Sequence, residues 1–124
     1  MAWTTNGEPY ALGAFPIGVA RGSVEVWAIE NAMQSMPHPM HLHGFQFQVI
    51  GREGSPDQVM ALAGERGLLP SDLGWKDTVL VWPGETVRLA IDFSHPFPGE
   101  QRYVFHCHNL EHEDMGMMIN YRVV

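Results

Sequence analysis

The chain has 124 residues and a formal net charge of -7, from 7 basic and 14 acidic side chains with histidine neutral. Nucleic acid and anionic membrane surfaces need a basic face, so this balance argues against both as partners. No apolar run reaches the roughly 18 residues of a membrane-crossing helix, and a single cysteine excludes an internal disulfide.

The length suits one domain over residues 1–124, able to bury about two-thirds of its unfolded surface without disulfide staples. Thirteen glycines and nine prolines supply the many turns of a short-stranded all-β protein. Residues 1–7 have neither the charged n-region nor the apolar h-region of a secretory signal. The expectation is a cytoplasmic protein or a chain that starts after a removed part.

Residues 3–5 read as a short strand, with Asn6-Gly7 as a tight turn. Residues 10–19 are apolar but broken by Gly13, Pro16 and Gly18, which predicts a loop with a strand fragment. Residues 24–30, rich in β formers, follow an Arg-Gly turn and predict a strand; 31–36 connect it onward. Residues 45–50 alternate as a half-buried strand does. Residues 51–74 are punctuated by glycine and proline, with a short helical turn expected at 58–63. A segment this long suits either a border of substrate access or a variable surface excursion.

Residues 75–82 form the next predicted strand and Pro83-Gly84-Glu85 a turn. Residues 86–93 return, with Val87, Leu89, Ile91 and Phe93 on the core face. Residues 95–99 are a proline-rich loop in which His95 reads as a surface histidine. Residues 103–105 lead as a strand into the last ligand-dense stretch, and 117–124 close the chain. No helix longer than two turns is expected. Seven or so strands at this spacing give an all-β Greek-key β-sandwich.

The chemistry concentrates in residues 106–117, which hold His106, His108 and His112, the only cysteine, Cys107, and Met115 and Met117. If the strand of 103–105 continues, alternate side chains leave opposite faces. Cys107 then points one way with Tyr103 and Phe105, while His106 and His108 point the other. Two ligand sets stand back to back, separated by the cysteine's own backbone.

One thiolate, two imidazoles and a distant thioether describe a blue-copper site. Cys107, His112 and Met117 provide three of these along one loop. Zinc also accepts cysteine and histidine, but a methionine completing the set favours copper. The bland reading is a buried structural cysteine with scattered surface histidines.

A second dense stretch is His38-Pro39-Met40-His41-Leu42-His43-Gly44. His41 and His43, if extended, share one face about 7 Å apart. Pro39 biases His38 to an extended conformation. The economical assignment joins His38 to Cys107, His112 and Met117. His41 and His43 then join His106 and His108 in a separate four-imidazole group.

His38 to Gly44, Trp75-Lys76-Asp77-Thr78-Val79 and the run from His106 to Met117 together resemble the C-terminal cupredoxin domain of multicopper oxidases, a family that includes laccases and cuprous oxidases. The resemblance covers nearly the whole chain and implies a cupredoxin-like sandwich. It implies that His38, Cys107, His112 and Met117 are type 1 copper ligands, where electrons from a reductant enter. By the same resemblance His41 matches the type 2 ligand, and His43, His106 and His108 match ligands of the type 3 pair. Dioxygen would be reduced to water there, with electrons passing from Cys107 through the peptide to His106 and His108. Glu113 matches an acidic residue that delivers protons; as a plain reading it is a surface carboxylate.

In complete enzymes of the family, four further histidines come from another cupredoxin domain as two His-x-His pairs, which this chain lacks, and the opening strand looks clipped at Trp3. The expectation is a piece of a longer enzyme, one domain of a split enzyme, or a stand-alone relative whose second copy completes the cluster as an isologous dimer. The implied partners are dioxygen and a small reductant: a phenol, an aromatic amine or cuprous ion. Met33, Met36 and Met40 near His38 fit the last, since thioethers bind cuprous copper, although methionine also fills cores. Relatives are mostly periplasmic or secreted. The alternatives are a single-copper electron-transfer protein and a copper-storage or sensing module.

Overall fold

The computed structural model describes residue 13 and residues 15–64, 67–107 and 118–124. The strand expected at 3–5, the turn at Asn6-Gly7 and most of the loop at 10–14 lie outside the described residues. The strands are β1 (Ile17–Val19), β2 (Val24–Glu30), β3 (His38–Leu42), β4 (Phe47–Glu53), β5 (Thr78–Val81), β6 (Thr86–Asp92), β7 (Gln101–Cys107) and β8 (Met118–Val123). Among the described residues, the four-residue helix α1 (Asp57–Met60) and a 3-10 turn at Pro70–Asp72 interrupt them. Among the described residues no helix is long and apolar enough to cross a membrane.

The strands form two layers, a five-stranded sheet in the order β1-β8-β7-β3-β5 and a three-stranded sheet in the order β2-β6-β4. β1 runs parallel to β8 and every other pairing is antiparallel. This is the expected all-β cupredoxin-like Greek-key sandwich. Alternation accounts for its core. Val87, Leu89, Ile91 and Phe93 are fully buried, as their spacing predicts, and Phe105, Cys107, Ile119, Tyr121 and Val123 meet them from the larger sheet. Trp27 reaches from β2 into the middle, 5.6 Å from Phe93, 5.7 Å from Phe105 and 5.7 Å from Tyr121 between ring centroids.

Strand bounds depart from the sequence reading most visibly at β5 and β4. The strand expected from residue 75 begins at Thr78, because Lys76 instead exchanges backbone hydrogen bonds with Phe47 at 2.7 and 2.8 Å. β4 begins at Phe47 and runs on to Glu53 through a register shift between Val49 and Gly51. The extra residue, Ile50, makes a β-bulge that reverses inward and outward positions beyond it. Arg52 is therefore buried in place of Gly51.

The buried Arg52 holds the 51–74 excursion against the sandwich. Its guanidinium donates to both carboxylate oxygens of Asp72 at 2.7 and 2.9 Å, to Glu85 Oε1 at 2.7 Å and to the Leu80 carbonyl at 3.0 Å. The backbone N–H groups of Leu69 and Trp82 donate to Asp72 Oδ2 and Glu85 Oε1, oxygens that also accept from Arg52, and the Ser55 hydroxyl donates to Glu85 Oε2. Burial alone would lower the Arg52 pKa, but the hydrogen bonds and charges of Asp72 and Glu85 outweigh it and raise the pKa. Arg52→Met should cost about 3–5 kcal/mol, because it strands two buried carboxylates. Urea denaturation monitored by tryptophan fluorescence reads that loss.

Candidate metal centre

β3 and β7 carry the candidate site, and their pairing assigns the candidate ligands on these two strands to a face. Met40 lies opposite Cys107, His41 opposite His106 and Leu42 opposite Phe105. His38, Met40 and Leu42 face the core with Phe105 and Cys107, while His41 and His106 leave by the other face of the sheet. The alternation expected at Cys107 is what the strand does. Met40 is 5% exposed and belongs to the core, so of the three methionines near His38 only Met33 and Met36 face solvent.

On the core side the His38 Nδ1 atom lies 3.6 Å from Cys107 Sγ. Bonds of about 2.0 Å to nitrogen and 2.3 Å to sulfur, at a tetrahedral to trigonal angle, put two such ligands ~3.5–3.8 Å apart. The pair therefore fits one thiophilic ion between them. The other ring nitrogen, Nε2, sits 2.9 Å from Ser35 Oγ, a partner that orients the ring with Nδ1 toward the sulfur. His112 and Met117, the other two residues expected here, lie outside the described residues.

On the opposite face His41, His43 and His106 form a group whose ligand atoms all lie within 4.8 Å of one another. His43 Nε2 and His106 Nε2 are 2.8 Å apart. The His106 Nδ1–H donates to the Cys107 carbonyl at 3.1 Å. Cys107 and His106 are thus joined twice, by their shared peptide and by this hydrogen bond. His106 is buried, His41 half-buried and His43 exposed, so the group opens outward on the side of His43. His108, expected with these three, and Glu113 lie outside the described residues.

His43 is held by its backbone. Its N–H donates to the Val104 carbonyl at 3.0 Å and its own carbonyl accepts from the Tyr121 hydroxyl. Burial, with Tyr103 beside it, pushes the Tyr121 phenol up, so it remains a donor. The chain then turns at Gly44 with φ +87°, where an added Cβ would lie 2.5 Å from the Tyr103 ring. Ser35, Asp77, Thr78, Tyr103 and Tyr121 were not readable as site residues from their sequence positions. The glycine directly after His43 and the polar pair Asp77-Thr78 opening an apolar strand were the available signals. A half-open, mainly apolar cavity of about 450 Å³ lies between the excursion and β5, lined by Val59, Leu62, Leu69, Leu80 and Trp82 among others.

A buried cysteine–histidine pair inside a Greek-key sandwich, with imidazoles directly behind it, defines a copper protein of the cupredoxin type. A family model described as multicopper oxidase matches residues 1–124. A laccase of Haloferax volcanii is 40% identical over 120 residues, covering 97% of this chain and 19% of its own length. The bilirubin oxidase of Albifimbria verrucaria is 38% identical over 118 residues, covering 94% of this chain and 19% of its own length. Among solved structures, the McoA multicopper oxidase of Aquifex aeolicus superposes with a TM-score of 0.81 at 44% identity, over 97% of this chain and 26% of that one. The chain belongs to the multicopper oxidase family, and copper is its cofactor. It spans about a fifth of the length of these curated relatives.

Gly44→Ala should destabilise the fold by roughly 2–4 kcal/mol, from the left-handed backbone and the overpacked Tyr103 ring. It should also displace His43. Thermal unfolding checks the first effect, and copper affinity of the three-histidine group checks the second.

Proposed function

We propose that this chain is the domain of a multicopper oxidase that receives electrons and passes them to half of an oxygen-reducing copper cluster. Type 1 copper would be held by His38, Cys107, His112 and Met117. The type 2 and type 3 coppers would draw on His41, His43, His106 and His108. The observation that carries this reading is the pairing of Met40 with Cys107 and of His41 with His106, which backs the thiol directly onto the imidazole group. Copper at these positions supplies one-electron transfer and the reduction of dioxygen to water.

The chain's own residues supply the rest. The buried Cys107 thiol excludes water from the electron-receiving side. The peptide and the hydrogen bond between Cys107 and His106 connect the two sides over one residue. Glu113, by the family's pattern, delivers protons.

The cluster needs imidazoles that this chain does not carry, and the outward-facing His43 marks where they enter. Another cupredoxin domain, or a second copy of this chain in an isologous dimer, provides them. The reductant is a phenol, an aromatic amine or cuprous ion; the exposed Met33 and Met36 support the last. Residues 1–124 act as a single cupredoxin domain, in a periplasmic or secreted setting that suits copper chemistry.

Copper per chain and oxygen uptake with a phenol test this reading. More than about one copper per chain, with uptake once the partner imidazoles are present, is the expected outcome. A count near one, without uptake in any mixture, would instead indicate a single-copper electron carrier.

A further inference from the structure

Asp77 and Thr78 belong to no ligand set, yet both touch His41, one of the three grouped histidines. The His41 Nδ1 atom lies 3.0 Å from the Asp77 carbonyl oxygen and 2.9 Å from Thr78 Oγ1. Thr78 is the cross-strand neighbour of His41 in the β3–β5 pair, so the contact is fixed by sheet register. The Thr78 hydroxyl in turn donates to Asp77 Oδ1 at 3.0 Å.

For a neutral ring that makes both contacts as hydrogen bonds, one set of proton positions is consistent. A carbonyl oxygen only accepts, so Nδ1 of His41 must carry hydrogen to bond Asp77. The Thr78 proton is directed to the Asp77 carboxylate, which leaves the hydroxyl oxygen to accept from the same Nδ1–H. The Asp77 carbonyl is not adjustable, because it also accepts the Leu42 backbone N–H at 3.0 Å as part of the sheet. His41 is thereby held as the Nδ1–H tautomer, with Nε2 as the unprotonated nitrogen.

We propose that Thr78 and Asp77 are positioning residues that lock the tautomer and ring orientation of His41 and so present its Nε2 to copper. The arrangement is a carboxylate–hydroxyl–imidazole chain, a longer relative of the carboxylate–histidine pairs that orient ligands and raise their basicity at metal sites. Its carboxylate end is solvent-facing, with the Asp77 side chain 59% exposed against 22% for His41. The chain therefore runs from the surface to the ligand. The inference rests on the reading of His41 as a copper ligand, but the tautomer itself is a property of the metal-free chain.

Long-range proton–nitrogen NMR of the metal-free chain reads the tautomer directly. The expected spectrum has His41 protonated on Nδ1, and a ring protonated on Nε2 instead would overturn the proposal. Thr78→Val keeps the side-chain shape and removes the hydroxyl, while Thr78→Ser restores it.

Titration of each variant with cupric ion against a competing chelator, followed by electron paramagnetic resonance, reads the site. Affinity at the three-histidine group should fall ~10–100-fold in Thr78→Val and return in Thr78→Ser. Unchanged affinity in Thr78→Val, or no recovery in Thr78→Ser, would also overturn it. If the unsubstituted chain shows the Nδ1–H ring but binds no copper there, the ligand reading of His41 fails and the hydrogen-bond lock stands.

Discussion

The antiparallel pairing of β3 with β7 sets Met40 against Cys107 and His41 against His106, and the chemistry of the molecule depends on that register. Side chains alternate along a strand, so a one-residue slip of β3 would turn each of its candidate ligands to the wrong face. His38 would leave the thiol, and the polar His41 would turn into the apolar core. The register is secured by what lies on the buried face. Leu42, Phe105 and Cys107 on these two strands pack among fully buried residues of the opposing sheet, including Val87, Leu89 and Ile91. The apolar core thus fixes which nitrogen and sulfur atoms meet, although apart from the sulfur-bearing Cys107 and Met40 its side chains are hydrocarbon or phenol groups that pack rather than ligate.

The other constraints act on the approach to that pair of strands. Gly44 lets the chain turn away after His43 without meeting the Tyr103 ring, and Tyr121 grips the His43 carbonyl. Asn31 donates from its side chain to Met36 O at 2.7 Å and Val81 O at 3.1 Å, tying the connection that carries Ser35 to the edge of the sheet. The bulge at Ile50 turns Arg52 inward, where it collects Asp72 and Glu85. A segment with weak periodicity is thereby held by charge and hydrogen bonding, not by an apolar face.

Strand alternation was legible in the sequence because period two is a local property. It gave the opposed faces of His106 and Cys107, the shared face of His41 and His43, and the buried face of β6. The grouping of His41, His43 and His106 was legible through ligand density and family resemblance, and the structure brings those three together. What was not legible depends on residues far apart in the chain. A bulge leaves no sign in a single strand, so nothing in the glycine-rich stretch set Arg52 apart as a buried residue. The Asp77 carbonyl is a backbone atom, and its role at His41 exists only once β5 is paired with β3. Sequence spacing also could not reveal that Met40, beside three histidines, is a core residue.

Absorption spectroscopy of the copper-loaded chain is the most direct examination of the central claim, that Cys107 and His38 grip one copper ion inside the sandwich. An intense visible thiolate-to-copper charge-transfer band, accompanied by the narrow copper hyperfine splitting of a blue site, is the result the account predicts. Copper bound with no such band would contradict it, since the thiol would then not be a ligand.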